Sequence, residues 1–473
     1  MRTLVLFNDV LRLTDNPLLC HELCLPHAAQ SDEKIAVLVL DPVQWTGRQY
    51  QQVRASQRRL QQQLQLIEYF RQQLQTAGIA LHCLWQKMPQ AIQSLAERYQ
   101  AQQLVLAQPH GTEEQQWLLQ LQQAPGLLRE IHPLDANSLL TDALTPDLAK
   151  FPDTFSQFRR AREPALPVSP ASPTKISGLW CTEVPADIAA DWQQLLATHL
   201  SAGASETADR ASEPWQQQRF IHYVFERQAI AHYKESRNGF SGDWYASFVS
   251  TGLARGTLSA RWLWQQIQQF EQQYGQSESS YWLRFELLWR EFFRWQLRKI
   301  GRQQFSFQGQ SRTELPKPTG DRRAQQQRFT RWCQGQTGVP IIDANMLFLQ
   351  QHGLMSNRGR QLVASYLVFD LQLDWRWGAA FFEQQLLDYD VASNWGNWAY
   401  IAGAGPQPGR WFNSIKQALS YDADAAFVQQ MLPFLPGQGA ELHRPYSIAG
   451  DPPPQHPLWQ PFLAAISNGS GHS

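Results

Sequence analysis

The first 135 residues alternate short apolar runs with segments whose apolar residues recur every three or four positions. The runs are continuous rather than alternating, as expected for strands buried on both faces of a parallel sheet; they cover residues 4–7, 35–40, 79–85 and 104–107. Residues 53–76 have the spacing of an amphipathic helix, which Gly78 ends. The pattern predicts a Rossmann-like α/β domain, although no G-x-G-x-x-G follows a strand.

Residues 164–214 are rich in Pro, Ser and Ala, as in a connector, and the pattern from Trp215 onward is helical. Two of the predicted helices cover residues 256–270 and 281–300, the second ending at Gly301. The sequence therefore predicts four parts. They are an α/β domain (1–135), a connector (136–214), an all-α domain (215–436) and an irregular tail (437–473).

Composition narrows the class of protein. Lys plus Arg and Asp plus Glu both number 41, so no overall basic field exists and any DNA contact must come from a local patch. The five cysteines are scattered and odd in number, which predicts free thiols in a reducing compartment rather than disulfides or a metal site. No signal peptide and no run of about 18 apolar residues is found, so we expect a cytoplasmic protein without a membrane span.

Residues 374–400 combine carboxylates, asparagines and tryptophans in a stretch that should be buried. Each buried polar group needs a hydrogen-bond partner or costs about 1–3 kcal/mol, and more if charged. A flat, polar ligand larger than a side chain would explain this combination. The motifs G-x-S-x-G, H-E-x-x-H and G-x-x-x-x-G-K-[ST] are absent, which argues against the hydrolases and nucleotide sites that carry them.

Three further segments each allow a functional and a structural interpretation. ASFVS (246–250) precedes a predicted helix and could hold a pyrophosphate, or could be an ordinary capped turn. In FELLWRE (285–291), Glu286 and Trp289 share a helix face and could bind and stack a base; alternatively, Trp289 is a core residue and Glu286 pairs with Arg290. In GLMSNRGR (353–360), Asn357 and Arg360 share a face away from Arg358, or all three are solvated.

Taken together and in order, these segments resemble the photolyase/cryptochrome family, and within it the cryptochrome DASH branch. The most specific signatures are FPDTFSQFR (151–159), YKESRNG (233–239), FELLWREFFR, TGVPIIDANM, MSNRGRQLVASYL and DYDVASNWGNWAYIAGAGPQPGRWFNSIKQA. The resemblance runs from Met1 to about residue 436. It implies an α/β antenna domain, a long connector and a helical domain that binds FAD.

The resemblance also implies roles for individual residues. The phosphate and adenosine contacts of FAD would be Tyr233, Ser247, Val249 and Ser250. The residues around the flavin ring would be Asn357, Arg360, Asp388, Asp390 and Asn394, with Arg360 and Asp388 paired and Asn394 facing flavin N5. The DNA side would comprise Arg237, Glu286, Trp289, Arg358, Tyr400 and Gln417.

The implied reaction is light-driven electron transfer from reduced FAD to a cyclobutane pyrimidine dimer, by a monomer without a metal. Glu286 would bind the damaged bases, and Trp289, Asn394, Tyr400, Trp375 and Trp398 would complete the catalytic set. Duplex photolyases of the family have Trp at position 400. The smaller Tyr400 offsets less of the cost of extruding a lesion from a duplex, so single-stranded DNA is the expected substrate. The alternative is a blue-light signalling photoreceptor that does not repair DNA.

Two departures from the family pattern are evident. Trp398 and Trp375 match the inner tryptophans of the family's electron relay, but Arg322 occupies the outermost position, so Trp377, Trp332 or a tyrosine would have to substitute. The antenna cofactor expected of the branch is 5,10-methenyltetrahydrofolate. Its binding is in doubt because QPHGTEE places His110 or Gly111 where a Glu is expected, with acids only at Glu113 and Glu114, and because no Arg follows Phe7.

Overall fold

The structure is a computed structural model, and it describes residues 2–20, 22, 32–140, 147–163, 171–172, 174–200, 210–448 and 450–467. The chain divides into two compact units, each made of separate stretches. Unit 1 comprises residues 1–230, 248–301 and 387–393, and unit 2 comprises residues 231–247, 302–386 and 394–473. These boundaries differ from the predicted division near residue 214, because later segments return to the first unit.

The strands of unit 1 are β1 (Arg2–Leu6), β2 (Glu33–Leu40), β3 (Arg48–Gln49), β4 (Gln52–Val53), β5 (Leu81–Trp85), β6 (Gln103–Ala107), β7 (Glu130–Leu134) and β8 (Leu179–Trp180). The main sheet is parallel, with the order β5-β2-β1-β6-β7 and β8 paired with the start of β2, while β3 and β4 form a short antiparallel pair. All four predicted strands are present. The edge strands β7 and β8 were not predicted, because one is polar and the other has two residues.

The helices up to residue 230 are α1 (Pro42–Thr46), α2 (Gln57–Thr76), α3 (Met88–Tyr99), α4 (Thr112–Gln123), α5 (Phe155–Arg162), α6 (Ala186–His199) and α7 (Glu213–Ile221). Alternate residues of the central strands enter separate cores on the two faces of the sheet. Val5 packs with Leu64 of α2, and Leu4 packs with Ile92 of α3. This arrangement explains why each strand is apolar at every position.

Residues 136–214, predicted to be a connector, also contain regular structure. Besides β8 they include α5 and the 14-residue α6, whose Ile188, Trp192 and Leu196 are buried. These three residues are four positions apart, as expected for the apolar face of a helix. The helix was not predicted because the flanking segments are rich in Pro and Ser.

The remaining helices are α8 (Tyr233–Ser236), α9 (Ser250–Arg255), α10 (Ala260–Tyr274), α11 (Glu278–Ile300), α12 (Arg322–Cys333), α13 (Pro340–His352), α14 (Asn357–Ser365), α15 (Trp375–Gln385), α16 (Val391–Ala402), α17 (Ser414–Tyr421), α18 (Ala426–Met431) and α19 (Gln460–Ser467). The helical character predicted after Trp215 is confirmed. None of the helices in the described part of the chain combines the length and apolar character needed to span a bilayer.

The predicted irregular tail contains 3₁₀ turns at Gly439–His443 and Pro457–Trp459, followed by α19. Trp459 and His443 are buried there. The prediction of an irregular tail relied on Pro and Gly content, which does not report the burial of single aromatic side chains. Cys24 lies outside the described residues.

A buried arginine joins the sheet of unit 1 to its helices. The Arg12 guanidinium is fully buried and donates to the side chain of Asn137 and to the carbonyls of Thr14, Asp15, Ala136 and Gly256. Burial lowers the pKa of Arg12 to about 10, while Asp15 opposes this shift. A buried cation is tolerated when its donors are satisfied, so these contacts hold the loop after β1 against the residue that ends α9.

Gly256 corrects the prediction of a helix over residues 256–270. It has a φ of 70° and ends α9, and the next helix starts only after Ser259 caps it. Its Cα lies so close to the Asp9 carbonyl that an added Cβ would be 2.0 Å from the oxygen. The position therefore needs glycine for both its backbone conformation and its packing.

We expect Gly256→Ala to destabilise the protein by more than the 1–2 kcal/mol or so that a left-handed alanine costs, because the methyl group must also displace the Asp9 carbonyl. Gly78→Ala is the control, since Gly78 follows the end of α2 with a φ of 75° and has no atom within 4 Å of an added Cβ. Denaturant unfolding of both variants measures the difference. Equal losses of unfolding free energy would show that the close approach is unimportant.

Candidate functional site

The segment 387–393, which carries Asp388 and Asp390, is held by a buried arginine of α9. Arg255 donates from Nε and Nη2 to the Leu387 carbonyl, at 3.1 and 2.9 Å. Burial lowers the pKa of Arg255 to about 9; Arg59 adds to this shift, and Asp388 and the acids after it oppose it. The carbonyl and the nearby carboxylates compensate the buried charge, so Arg255 fixes the start of this turn.

The two acids of this turn have different surroundings. Asp388 is 7% exposed, and Asp390 accepts a 2.8 Å hydrogen bond from the Ser393 N–H in the first turn of α16. Between them, the Tyr389 ring packs against the Arg59 guanidinium at 4.4 Å. These contacts within unit 1 give the turn that carries the two carboxylates a defined conformation.

The ASFVS segment also differs from its predicted setting. The helix that follows it is α9, which starts at Ser250 itself, so Val249 is the residue at the cap and Ser250 is exposed. Phe248 has a φ of 58°, and Arg219 lies over its ring at 5.7 Å. A bulky residue in this conformation costs about 1–3 kcal/mol and is often found at functional sites.

In unit 2, Tyr233 and Ser247 are both buried, and Tyr233 opens the short helix α8. Asn394 of α16 is 8% exposed, and its side-chain nitrogen donates to the Ala379 carbonyl of α15 at 3.0 Å. This bond leaves the amide oxygen as the acceptor that Asn394 can offer to another group.

The two residues of α14 that were predicted to lie around the flavin differ in their exposure to solvent. Asn357 is exposed at the first position of the helix, which Ser356 caps. Arg360 is half-buried and donates from Nε to the Met355 carbonyl at 3.0 Å. The predicted pairing of Arg360 with Asp388 joins residues of different units and stays a prediction.

The tryptophans of unit 2 form two groups. Among the described residues, Trp398 has ring contacts with Trp332 at 6.2 Å and Phe382 at 5.1 Å, whereas Trp375 contacts Trp395 at 5.8 Å. Gly378 permits the position of Trp398, because an added Cβ would lie 2.2 Å from its ring.

The group around Trp398 extends toward the predicted gap in the relay. Phe329 lies 5.9 Å from Trp332 and 5.4 Å from Trp377, and the exposed Arg322 lies over Trp377 at 4.5 Å. A tryptophan that gives up an electron becomes positively charged. The nearby Arg322 guanidinium therefore disfavours oxidation of Trp377. Trp332 is fully buried, so it is placed to continue a relay from Trp398 rather than to end one at the surface, and its contact with Trp398 could not be predicted from the sequence.

Three of the predicted DNA contacts lie together in unit 2. Arg358 donates to Gln417 at 3.3 Å and to Asn238 at 2.7 Å, and its guanidinium lies over the Tyr421 ring at 4.6 Å. Burial lowers the pKa of Arg358, Tyr421 opposes this shift, and the charge of Arg237 adds to it. The alternative of a solvated helix face is wrong for Arg358, which is half-buried among these side chains.

Tyr400 of α16 is half-buried, and burial raises the pKa of its hydroxyl. The guanidinium of Arg410 lies over the Tyr400 ring at 4.5 Å. Arg410 thus covers part of one face of the Tyr400 ring.

On α11 in unit 1, Trp289 stacks on Phe155 with ring centroids 3.7 Å apart and planes at 9°. Arg290 donates to the Asn137 carbonyl and to Glu291, so among the described residues it does not form the alternative pair with Glu286. Glu286 is half-buried and lies one turn from Trp289. The FPDTFSQFR motif, which includes Phe155, therefore orients the Trp289 ring.

The antenna segment QPHGTEE directs its acids to partners within unit 1. Glu113 pairs with Arg54 at 2.8 Å, and Glu114 accepts a 2.7 Å hydrogen bond from Gln44. Burial raises the pKa of Glu114 to about 7, with a further contribution from Asp9. The predicted weakening or loss of folate binding stays a prediction.

Comparisons with known proteins agree with the sequence signatures. Residues 3–175 match the family model described as DNA photolyase, and residues 282–455 match the one described as FAD binding domain of DNA photolyase. The chain is 35% identical over 452 residues to Cryptochrome DASH from Idiomarina loihiensis, covering 92% of this chain and 93% of that protein. The chain belongs to the cryptochrome DASH family. Cryptochrome DASH from Xenopus laevis is 39% identical over 316 residues, 64% of this chain and 58% of that protein.

Solved structures support the predicted architecture. A Synechocystis cryptochrome matches with a TM-score of 0.82 and 30% identity over 99% of both chains. A class III photolyase from Agrobacterium tumefaciens, 21% identical with a TM-score of 0.76 over 99% of this chain and 97% of that one, shares the fold. The prediction of an N-terminal α/β domain and a helical FAD-binding domain is confirmed.

FAD is the cofactor of this cryptochrome DASH chain. Within unit 2, the chemistry of two side chains fits such a cofactor. The amide oxygen of Asn394 is an acceptor and the Arg360 guanidinium is a donor, the two kinds of group that the polar edge of a flavin requires.

We expect the relay to bypass Trp375. With an external reductant, Trp398→Phe should abolish photoreduction of the flavin, Trp332→Phe should reduce its yield strongly, and Trp375→Phe should reduce it least. The reason is that the ring contacts found in the described part of the chain join Trp398 to Trp332 and join Trp375 to Trp395 instead. The yield is measured from flavin absorbance during illumination.

Trp459→Phe is the control for this series, because Trp459 is an equally buried tryptophan of unit 2 outside both groups. Complete loss of photoreduction in Trp375→Phe, equal to that in Trp398→Phe, would refute the bypass.

Proposed function

We propose that the chain repairs cyclobutane pyrimidine dimers in single-stranded DNA in a light-driven reaction. The observation that carries this proposal is the group formed by Arg358, Gln417 and Tyr421, with Arg237 nearby. Arg358 is fixed by three side chains, so it offers a preorganised cation of the kind that binds phosphate and base edges.

The residues assigned to FAD fall into two sets. Tyr233, Ser247, Val249 and Ser250 hold the phosphates and adenosine, while Asn357, Arg360, Asp388, Asp390 and Asn394 surround the flavin ring. The buried positions of Ser247, Asp388 and Asn394 support these roles, because a hydrogen bond made away from water is electrostatically stronger than one made in water. When bound, FAD supplies the light-driven electron that opens the cyclobutane ring.

The side chains of α11 and α16 contact the lesion. Glu286 hydrogen-bonds the damaged bases, and Trp289 provides one aromatic wall. The stack of Trp289 on Phe155, at 3.7 Å, supports this role because it holds the ring in one orientation before DNA binds. Tyr400 provides a second wall.

The preference for single strands follows from Tyr400. Extruding a lesion from a duplex costs a few kcal/mol, which stacking in the pocket must offset. A tyrosine whose ring already contacts Arg410 offers less stacking surface than a free tryptophan. In a single strand most of this cost is absent.

The test is illumination of purified protein with reduced FAD and dimer-containing oligonucleotides, scoring restored thymines. We expect repair of single strands to exceed repair of duplexes by about tenfold to a hundredfold, the ratio that a few kcal/mol produces. Equal repair of both would contradict the single-strand preference. No repair of either would favour the signalling photoreceptor.

Arg358→Lys should lower repair of single strands, because a lysine cannot bond Asn238 and Gln417 in the same geometry. Arg331→Lys is the control, since Arg331 pairs with Asp451 at 2.6 Å and is exposed. The rate of repair under limiting DNA is the measurement. An Arg358→Lys rate equal to that of the control would remove Arg358 from the site.

A further inference from the structure

Unit 2 has a groove beside α17, and of the residues that line it only Gln417 has a role described above. Its cavity measures about 500 Å³, in the range of small-ligand pockets. Its walls come from residues 411–413, from α17 and from the turn and helix at the end of the described chain. The lining residues that matter here are Trp411, Phe412, Lys416, Gln417, Leu458 and Phe462.

The aromatic wall of this α17 groove is held in place by polar contacts. Trp411 donates from Nε1 to Asp370 at 3.1 Å and stacks on His456 at 5.0 Å with planes at 26°. His456 in turn accepts from the Leu458 N–H at 3.2 Å, and Asn413 donates to the Leu458 carbonyl at 2.7 Å. The rings are therefore positioned before any ligand binds.

The charge of the groove fits an anion. Lys416 is exposed and lies 6.0 Å from the Phe462 ring centroid, and the described residues that line the groove include no carboxylate. A cation beside an aromatic wall is the combination that binds the phosphate and base of a single-stranded nucleotide. Leu458 is 57% exposed, so an apolar surface is also open to a ligand.

The groove is continuous with the proposed DNA contacts. Gln417 lines the groove and also accepts the 3.3 Å hydrogen bond from Arg358. The side chain of one residue thus connects the cationic group of Arg358 to the aromatic wall. A strand bound at Arg358 would pass Gln417 on its way to Lys416.

We propose that the α17 groove binds an unpaired nucleotide next to the lesion, with its base against Trp411 and Phe462 and its phosphate at Lys416. The inference rests on the proposed function for the lesion itself. In a duplex the neighbouring base is paired and stacked, so it does not enter the groove. The groove therefore adds a second source of single-strand preference, independent of Tyr400.

The test compares dark binding of a thymine-dimer dinucleotide, which is too short to reach the groove, with binding of a longer single strand that contains one dimer. Phe462→Leu keeps an apolar side chain for packing but removes the ring. It should weaken binding of the long strand about fivefold to a hundredfold and leave the dinucleotide unaffected. The control is Phe434→Leu, because Phe434 is 67% exposed in the same unit.

Lys416→Gln should reduce the slope of log affinity against log salt by about 0.7 for the long strand, the value for one phosphate contact. Lys317→Gln, at an exposed lysine paired with Glu314, should leave the slope unchanged.

A fluorescent 2-aminopurine base placed beside the dimer gives a second measurement. Its fluorescence should be quenched by the wild-type protein and less by Phe462→Leu. If Phe462 only stabilised the fold, the bound base would be quenched equally by both proteins.

The outcomes separate this inference from the proposed function. Repair of both substrates with no effect of Phe462→Leu or Lys416→Gln on the long strand overturns the groove and leaves repair intact. Absence of repair, together with loss of long-strand binding in both variants, supports the groove and overturns repair. Loss of binding with equal loss of thermal stability in Phe462→Leu, and an unchanged salt slope in Lys416→Gln, also overturns the groove.

Discussion

The contact on which the site depends most is the one between the Arg255 guanidinium and the Leu387 carbonyl, which are 132 residues apart in sequence. Two hydrogen bonds from one rigid donor fix both the position and the direction of the carbonyl. The next residue is Asp388, and Asp390 lies directly before α16. This long-range bond acts together with the Arg59–Tyr389 contact and the Ser393–Asp390 hydrogen bond to set the conformation of the turn.

Two polar side chains of unit 2 are each held by protein partners. Asn394 uses its amide nitrogen on Ala379 and keeps its oxygen, and Arg358 is braced by Asn238 and Gln417. Such groups lose little entropy on binding, because their rotamers are already chosen. The tryptophans serve the same purpose, since Gly378 leaves only the space that the Trp398 ring occupies.

The sequence was sufficient for the layers of the fold and for the family, whereas the roles of the individual site residues stay predictions. Strands apolar on both faces, and a helix such as α2, can be predicted because burial imposes a local pattern. The start of α9 could not be predicted, because the conformation of Phe248 and the role of Gly256 depend on contacts with Arg219 and Asp9. Likewise, Arg255 is an unremarkable residue in sequence, and only folding shows what it binds.

The account is tested most directly by the affinity of FAD for Arg255→Lys, compared with wild type and with Arg298→Lys, a change at a half-buried arginine of unit 1. Lysine keeps the charge but cannot make both bonds to Leu387. The account predicts a folded Arg255→Lys protein whose FAD affinity falls about tenfold to a hundredfold, the value of a lost hydrogen bond to a charged group. An FAD affinity equal to that of wild type and of Arg298→Lys would contradict it.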